Sequence, residues 1–305
     1  MTLLPGVTSY LNIIRTRLRN SNYNLFKRLL IILTSSSLFI AISGTLKTFF
    51  SFLLYGSPPS PLLLLATFLV IYSVYALNKI TDTEEDQLNA PERSNLILKH
   101  EKLFKYTSCA SYIFAVLIGL ICGWKVLLIL IFPLLAGIIY SIRIHHQIPR
   151  LKDIFAVKSI IVALSWTVGS TFLPIINSNQ NFMIIGVVFY FFFTKSMINT
   201  VLFDLMDVEG DEKIGANTIP VVIGPSRTIK LLLILNSTLI VVILFSSVYG
   251  FFQAYLLPLT FSVIYGYLYI LYFYHNKIRL QLEIMVDGEW LLIVFISLIN
   301  LKPYP

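Results

Sequence analysis

Charge is what this sequence has least of. Only 12% of its 305 residues are Asp, Glu, Lys or Arg, about half the share that covers a water-soluble globule, while 57% are hydrophobic. That shortage excludes a soluble enzyme and a disordered chain. The two cysteines, Cys109 and Cys122, fall within one apolar run and read as packing residues, so a disulfide scaffold is excluded as well. There is no compact basic domain. The net charge of +8 is scattered as bases between apolar runs, which is how topology signals look, and nucleic acid is discarded as a partner. Also missing are a P-loop, a dinucleotide-binding fingerprint and a His-Glu-x-x-His motif, so nucleotide-driven and zinc-hydrolase chemistry have nothing to rest on.

What the chain has in abundance is apolar length. Its mean hydropathy of +0.81 comes from runs of roughly 18 to 25 residues, enough helix to cross about 30 Å of hydrocarbon. Runs between charged or turn-rich breaks predict nine spans, near 29–54, 60–78, 103–122, 125–144, 154–176, 181–203, 229–250, 252–274 and 288–302. The fold class expected is therefore all-α, a polytopic membrane helical bundle in the lipid bilayer. Residues 1–28 do not read as a cleavable signal peptide, because the following apolar run is too long for one. Their bases Arg15, Arg17, Arg19, Lys27 and Arg28 among Leu, Ile and Tyr predict an amphipathic segment lying on the cytoplasmic surface. With nine spans, 19 of the 23 Lys and Arg fall on one side. The positive-inside rule then places the N-terminus and that whole face in the cytoplasm.

The acids are gathered on the same face. One cluster leaves the second run, from Asn78 and Lys79 through Asp82, Glu84, Glu85 and Asp86 to Glu92 and Arg93. Another leaves the sixth run, with Asp204, Asp207, Glu209, Asp211 and Glu212. With Glu101 they hold 11 of the 15 carboxylates. If helix continues past each run, Asn78, Asp82 and Asp86 are spaced i, i+4, i+8 and Asp204, Asp207 and Asp211 are spaced i, i+3, i+7, so each set shares a face. Stacked carboxylates repel, and a cation between them is the natural remedy. Mg²⁺ prefers hard oxygen ligands and completes its shell with water and phosphate oxygens. Two acidic helix ends facing each other at the membrane surface would hold a diphosphate through Mg²⁺, with nearby bases taking the remaining charge.

These residues resemble the UbiA superfamily of intramembrane prenyltransferases. The resemblance runs from about residue 29 to residue 305, which is read as one UbiA-like transmembrane domain. Its sharpest parts are Asn78…Asp82…Asp86 followed by Asn89, Pro91 and Arg93, and Asp204-x-x-Asp207-x-x-Gly210-Asp211 followed by Gly215, Thr218, Pro220 and Gly224. Tyr140-Ser141, Arg150-Leu151-Lys152 and Lys158 look like the family's middle basic loop. The resemblance implies that a prenyl diphosphate is held by Mg²⁺ on the two acidic motifs. Asp82, Asp86, Asp207 and Asp211 would ligate metal with support from Asn78 and Asp204. Lys79, Arg93, Tyr140, Arg150, Lys152 and Lys158 would meet the diphosphate. Lys79 stands where the family usually has its first Asp, and Ser94 stands where many members carry Pro.

The resulting expectation is a Mg²⁺-dependent transferase moving an isoprenyl group from a prenyl diphosphate to a hydrophobic or aromatic acceptor, as in quinone or pigment-lipid synthesis. An acceptor-free terpene cyclase of the same superfamily is the alternative. A secondary transporter is a poorer reading, since its acids would lie at the membrane midplane. Three features stand apart. Lys195, inside an apolar run, is either site-facing or snorkelling. Lys47 reads as a snorkelling base at the outer end of the first span. Gly119-x-x-x-Gly123 reads as an internal helix contact more readily than as a dimer face.

Overall fold

In a computed structural model of the chain, residues 29–81, 87, 91–141, 154–213, 215–276 and 278–300 are described. Regular structure among them is entirely helical. The first span is a bent pair, α1 (Leu29–Ser35) and α2 (Leu38–Leu54), turned by 66° at Ser37, whose φ of 66° takes the left-handed conformation. Next come α3 (Pro61–Thr81), the short α4 (Pro91–Lys99), α5 (Glu101–Cys122), α6 (Trp124–Ser141) and α7 (Val157–Phe172). After α8 (Phe182–Met206) the chain makes two short helices, α9 (Val208–Lys213) and α10 (Ile219–Ile223), before α11 (Pro225–Val248) and α12 (Leu256–His275). It ends in α13 (Arg279–Leu282), a π-helical turn over Glu283–Asp287, and α14 (Glu289–Asn300).

Neighbours in sequence pack as neighbours in space, as short connections require. α2 packs on α3, α3 on α5, α5 on α6, α6 on α7, α7 on α8, α8 on α11 and α11 on α12, and α14 closes the ring between α12 and α2. Gly119 belongs to this packing. A Cβ there would lie 3.1 Å from the Leu127 Cα, so the glycine lets α5 and α6 approach closely within the chain. Large apolar side chains such as Phe182, Ile121 and Val248 face outward, as a surface solvated by lipid requires. Cys109 joins that exposed surface, which departs from the packing role expected of it, and Cys122 packs on the core around Phe52 and Leu130.

The expected count of nine spans is corrected. Among the described residues six helices are long and apolar enough to cross a membrane, seven if α1 and α2 form one broken span. The runs expected at 125–144 and 288–302 are helical among the described residues and fall outside the six. α6 runs Trp124–Ser141, its described apolar stretch being Trp124–Ile138, and the 12 residues of α14 reach only about 18 Å at 1.5 Å per residue. Both pack on the bundle along one face and leave large apolar side chains such as Leu128, Leu135, Phe295 and Ile299 exposed on the other. The segment 1–28 lies outside the described residues.

Candidate active site

The ends of α3 and α8, the start of α7 and the segment from Arg279 to Trp290 meet around a cavity of about 260 Å³. One wall carries the second acidic motif. Asp204 is fixed by the first turn of α7, where the Ser159 hydroxyl donates to it at 2.8 Å and the Lys158 ammonium lies 3.4 Å away. The helix expected to carry all three aspartates breaks at Asp207, the C-cap of α8. Nevertheless the Asp211 amide donates to the Asp207 carbonyl at 2.9 Å, so the turn is continued into α9 and Asp204, Asp207 and Asp211 line the same cavity. The Thr218 hydroxyl donates to Asp211 at 3.1 Å. Burial pushes the Asp211 carboxyl up to about 6; Lys158 opposes this, Asp204 and Asp207 add to it, and the Thr218 hydrogen bond opposes it.

The opposite wall was only partly foreseen. Asn78 and Lys79 line the cavity. The Lys79 ammonium donates to the Thr34 and Ser35 carbonyls at 2.8 and 3.1 Å, at the carbonyl end of α1, where a cation is favoured. Arg93 pairs with Glu283 at 3.3 Å. Glu283 also meets Arg279 at 3.4 Å, and the Arg279 guanidinium grips both oxygens of Asp207. An alternating chain of charges therefore ties α4 to the second acidic motif through α13. Asp287 lines the cavity too, its carboxyl pushed up to about 8 by burial and by Glu283 against the pull of Lys79. Arg279, Glu283 and Asp287 recur at i, i+4, i+8, the spacing of Asn78, Asp82 and Asp86, so the sequence held a signal for them.

Lys195 lies elsewhere. It is fully buried in a 2.6 Å ion pair with Glu289, also fully buried, and it donates to the Ser262 carbonyl and the Tyr269 hydroxyl at 3.2 and 2.9 Å. Neither expected role describes it: it is an internal ion pair joining α8, α12 and α14. Lys47 is corrected as well. It is 3% exposed and lines the cavity instead of reaching for the membrane surface. Asp82, Asp86, Arg150 and Lys152 lie outside the described residues, as does the Tyr140 side chain.

A second space, about 90 Å³ and lined mainly by apolar side chains of α3, α6 and α7, shares Tyr75, Asn78, Val162 and Trp166 with the first. The Trp166 indole donates to the Tyr75 hydroxyl at 2.8 Å where the two meet. Gly44 permits this arrangement, because a Cβ there would stand 2.3 Å from the Trp166 ring. A polar cavity thus abuts an apolar cleft between helices.

The sequence profile of the UbiA prenyltransferase family matches residues 31–284. The chain belongs to the UbiA prenyltransferase family. It is similar to a UbiA homologue from Archaeoglobus fulgidus, solved bound to GPP and Mg²⁺, with 15% identity and a TM-score of 0.65 over 89% of this chain and 98% of that one. An apo UbiA homologue from Aeropyrum pernix K1 gives 13% identity and a TM-score of 0.65 over 85% and 96%. These likenesses show the fold. A curated relative, digeranylgeranylglyceryl phosphate synthase from Methanosphaera stadtmanae, is 27% identical over 174 residues, 56% of this chain. The match spans 60% of that relative's length.

The donor set fits the metal that the UbiA fold implies. Three carboxylates line one wall, and carboxylate oxygens are the donors Mg²⁺ prefers. One motif is not a whole site: among the described residues no three His, Cys, Asp or Glu side chains converge as a metal site.

Proposed function

We propose that this chain is a Mg²⁺-dependent intramembrane prenyltransferase that moves an isoprenyl group from a prenyl diphosphate to a lipophilic acceptor. The observation that carries this reading is the acid- and base-lined cavity lying against the apolar cleft, with Trp166 and Tyr75 lining both. An amphiphile with a charged head and a hydrocarbon tail matches that shape, and its tail never enters water. The positive-inside distribution of the bases supports a cytoplasmic mouth, and the single domain is taken to run from residue 29 to 305 with 1–28 on the membrane surface.

In this reading Asp207 and Asp211 hold Mg²⁺ together with Asp82 and Asp86, while Asn78 and Asp204 keep them in place. Bound Mg²⁺ would neutralise the diphosphate oxygens as the leaving group develops charge. Lys158 stands beside Asp204 at the mouth, placed to attract the same charge. Arg93, Lys79, Arg150, Lys152 and Tyr140 complete the basic side. As the allylic C–O bond breaks, the diphosphate departs with the bonding electrons. The acceptor's nucleophile bonds to the allylic carbon, and its proton leaves with the diphosphate at the wet mouth.

The test is mass spectrometry of products formed by the purified chain in lipid with Mg²⁺ and C10, C15 or C20 prenyl diphosphates, with and without phenolic and glycerophosphate acceptors. A prenylated acceptor with released diphosphate is expected. A cyclic product without acceptor would move the assignment to the terpene cyclase, and no release under any condition would overturn both.

A further inference from the structure

Asp287 lies in the cavity wall opposite the second acidic motif and has no part in holding the metal. It ends the π-helical turn Glu283–Asp287, a widened turn that is rare in proteins and recurs at functional sites. Two contacts hold the turn in shape. Gly288 follows it, where a Cβ would stand 2.2 Å from the Ile284 carbonyl oxygen, so a larger residue would disturb the turn. The Ser43 hydroxyl of α2 donates to the Asp287 carbonyl. Both contacts run through the main chain, and the side chain is left to the cavity. Among the described residues no hydrogen bond or ion pair meets its carboxyl. Glu283, one turn earlier, takes both Arg93 and Arg279, and the Lys79 ammonium, whose field reaches Asp287, is bonded to the Thr34 and Ser35 carbonyls. A carboxylate kept below the surface without a bonded cation costs stability.

The transfer needs a group of this kind. When an acceptor hydroxyl bonds to the allylic carbon, its oxygen becomes an oxonium that must shed a proton, and a carboxylate fixed beside it is an effective receiver. The opposite wall offers none. In the prenyltransferase reading Asp207 and Asp211 are taken by Mg²⁺, a positive charge that keeps them ionised, and Asp204 is held by Ser159 and Lys158. Asp287 remains. With the diphosphate at the acidic wall and the tail leaving past Tyr75 and Trp166, the carbon between them reacts in the cavity that Asp287 lines. Its carboxyl, raised to about 8 by burial and Glu283, gains and loses a proton close to neutrality, as an efficient base does.

We propose that Asp287 is the catalytic base of the transfer, receiving the proton of an acceptor hydroxyl as its oxygen bonds to the allylic carbon. This rests on the prenyltransferase reading and deepens it by naming the residue that takes the acceptor's proton. The allylic C–O bond breaks and its electron pair leaves on the diphosphate. A lone pair of the acceptor oxygen forms the new C–O bond, the O–H electrons stay on that oxygen, and the proton passes to Asp287. Asp287 then hands it to the departing diphosphate at the wet mouth, which restores the carboxylate. The charges that share the cavity with Asp287 set its proton affinity: Glu283 on its own segment raises it, and Lys79 from α3 lowers it. Arg279, Arg93 from α4, Lys47 from α2 and Lys158 from α7 line the same cavity as cations, and Asp204, Asp207 and Asp211 line it as acids.

The experiment follows single-turnover transfer by the full chain in lipid nanodiscs, with Mg²⁺, saturating radiolabelled prenyl diphosphate and phenolic or glycerophosphate acceptors. Protonated Asp287 cannot accept, so the rate in the unmodified chain should rise about tenfold or more from pH 6.5 to pH 9, with its limb near the value at which this carboxyl ionises. Asp287→Asn should slow transfer by about 10²-fold or more and erase that limb, while affinity for the prenyl diphosphate stays within about twofold. Asp287→Glu should recover at least about tenfold of the loss, since it returns a carboxylate to the same wall. A pH-independent rate in the unmodified chain would overturn the assignment, and that arm needs no variant to fold. Transfer by Asp287→Asn close to the unmodified rate would overturn it too, as would donor affinity lost together with transfer in both variants. Absence of diphosphate release by the unmodified chain with every acceptor is the separate failure of the prenyltransferase reading.

Discussion

Arg279 grips both carboxylate oxygens of Asp207, 72 residues away in sequence, one of them at 3.2 Å. The fork of a guanidinium matches a carboxylate in this way, and it places a positive charge where the second acidic motif would take a divalent cation. Each side chain keeps 20% of its surface exposed, so the pair can open. Arg279→Gln should bind Mn²⁺ in the substrate-free protein about tenfold more tightly, because a competing cation is removed from a partly screened site. Titration of the lipid-reconstituted protein followed by electron paramagnetic resonance checks this. Unchanged or weaker binding would show that Arg279 supports the metal-binding geometry instead of competing for it.

Loss of Asp207 itself has a different signature. Asp207→Ala, like Asp82→Ala, should reduce turnover by about 10²-fold or more, the scale seen when a group that stabilises developing charge is removed. The protein should stay folded and inserted, since Asp207 lies at a helix end and not in the core. Product assays with a thermal melt on the same samples decide it; full activity in both variants would sink the metal assignment.

The buried pair of Lys195 and Glu289 predicts a stability effect without an active-site one. Glu289→Gln leaves an ammonium with 0% exposure facing neutral oxygens, and breaking a buried pair from one side costs about 3–5 kcal/mol. Lys195→Met combined with Glu289→Gln should recover much of that loss. Unfolding in mixed micelles, compared across the single and double variants, is the measurement.

Gly44 governs how Trp166 sits. Besides the Trp166 ring, a Cβ there would meet the Ile71 side chain at 2.4 Å, and both residues line the apolar cleft. Gly44→Ala should push them into that space. The expected result is a shift in kcat/KM toward the shorter of the C10, C15 and C20 donors, with about 1–3 kcal/mol of overpacking cost. An unchanged donor ranking would mean that the tail runs elsewhere.

Composition and residue spacing determined a good deal about this protein. Scarce charge and long apolar runs require a helical membrane bundle, because only lipid accommodates so much apolar surface with its backbone bonded internally. The run from Asp204 to Asp211 with Thr218 was legible as a unit because its backbone turn and the Thr218–Asp211 hydrogen bond are local. Tertiary structure decided the rest. How long a helix α14 makes was hidden, because the π-helical turn over Glu283–Asp287 that precedes it leaves no mark in hydropathy. Which way Lys47 points was hidden too, since a bundle interior and a lipid tail are equally apolar. The pairings of Lys195 with Glu289 and Arg279 with Asp207 join residues 94 and 72 positions apart, and such partners are selected by the closing of α14 and α13 onto the bundle, not by any spacing along the chain.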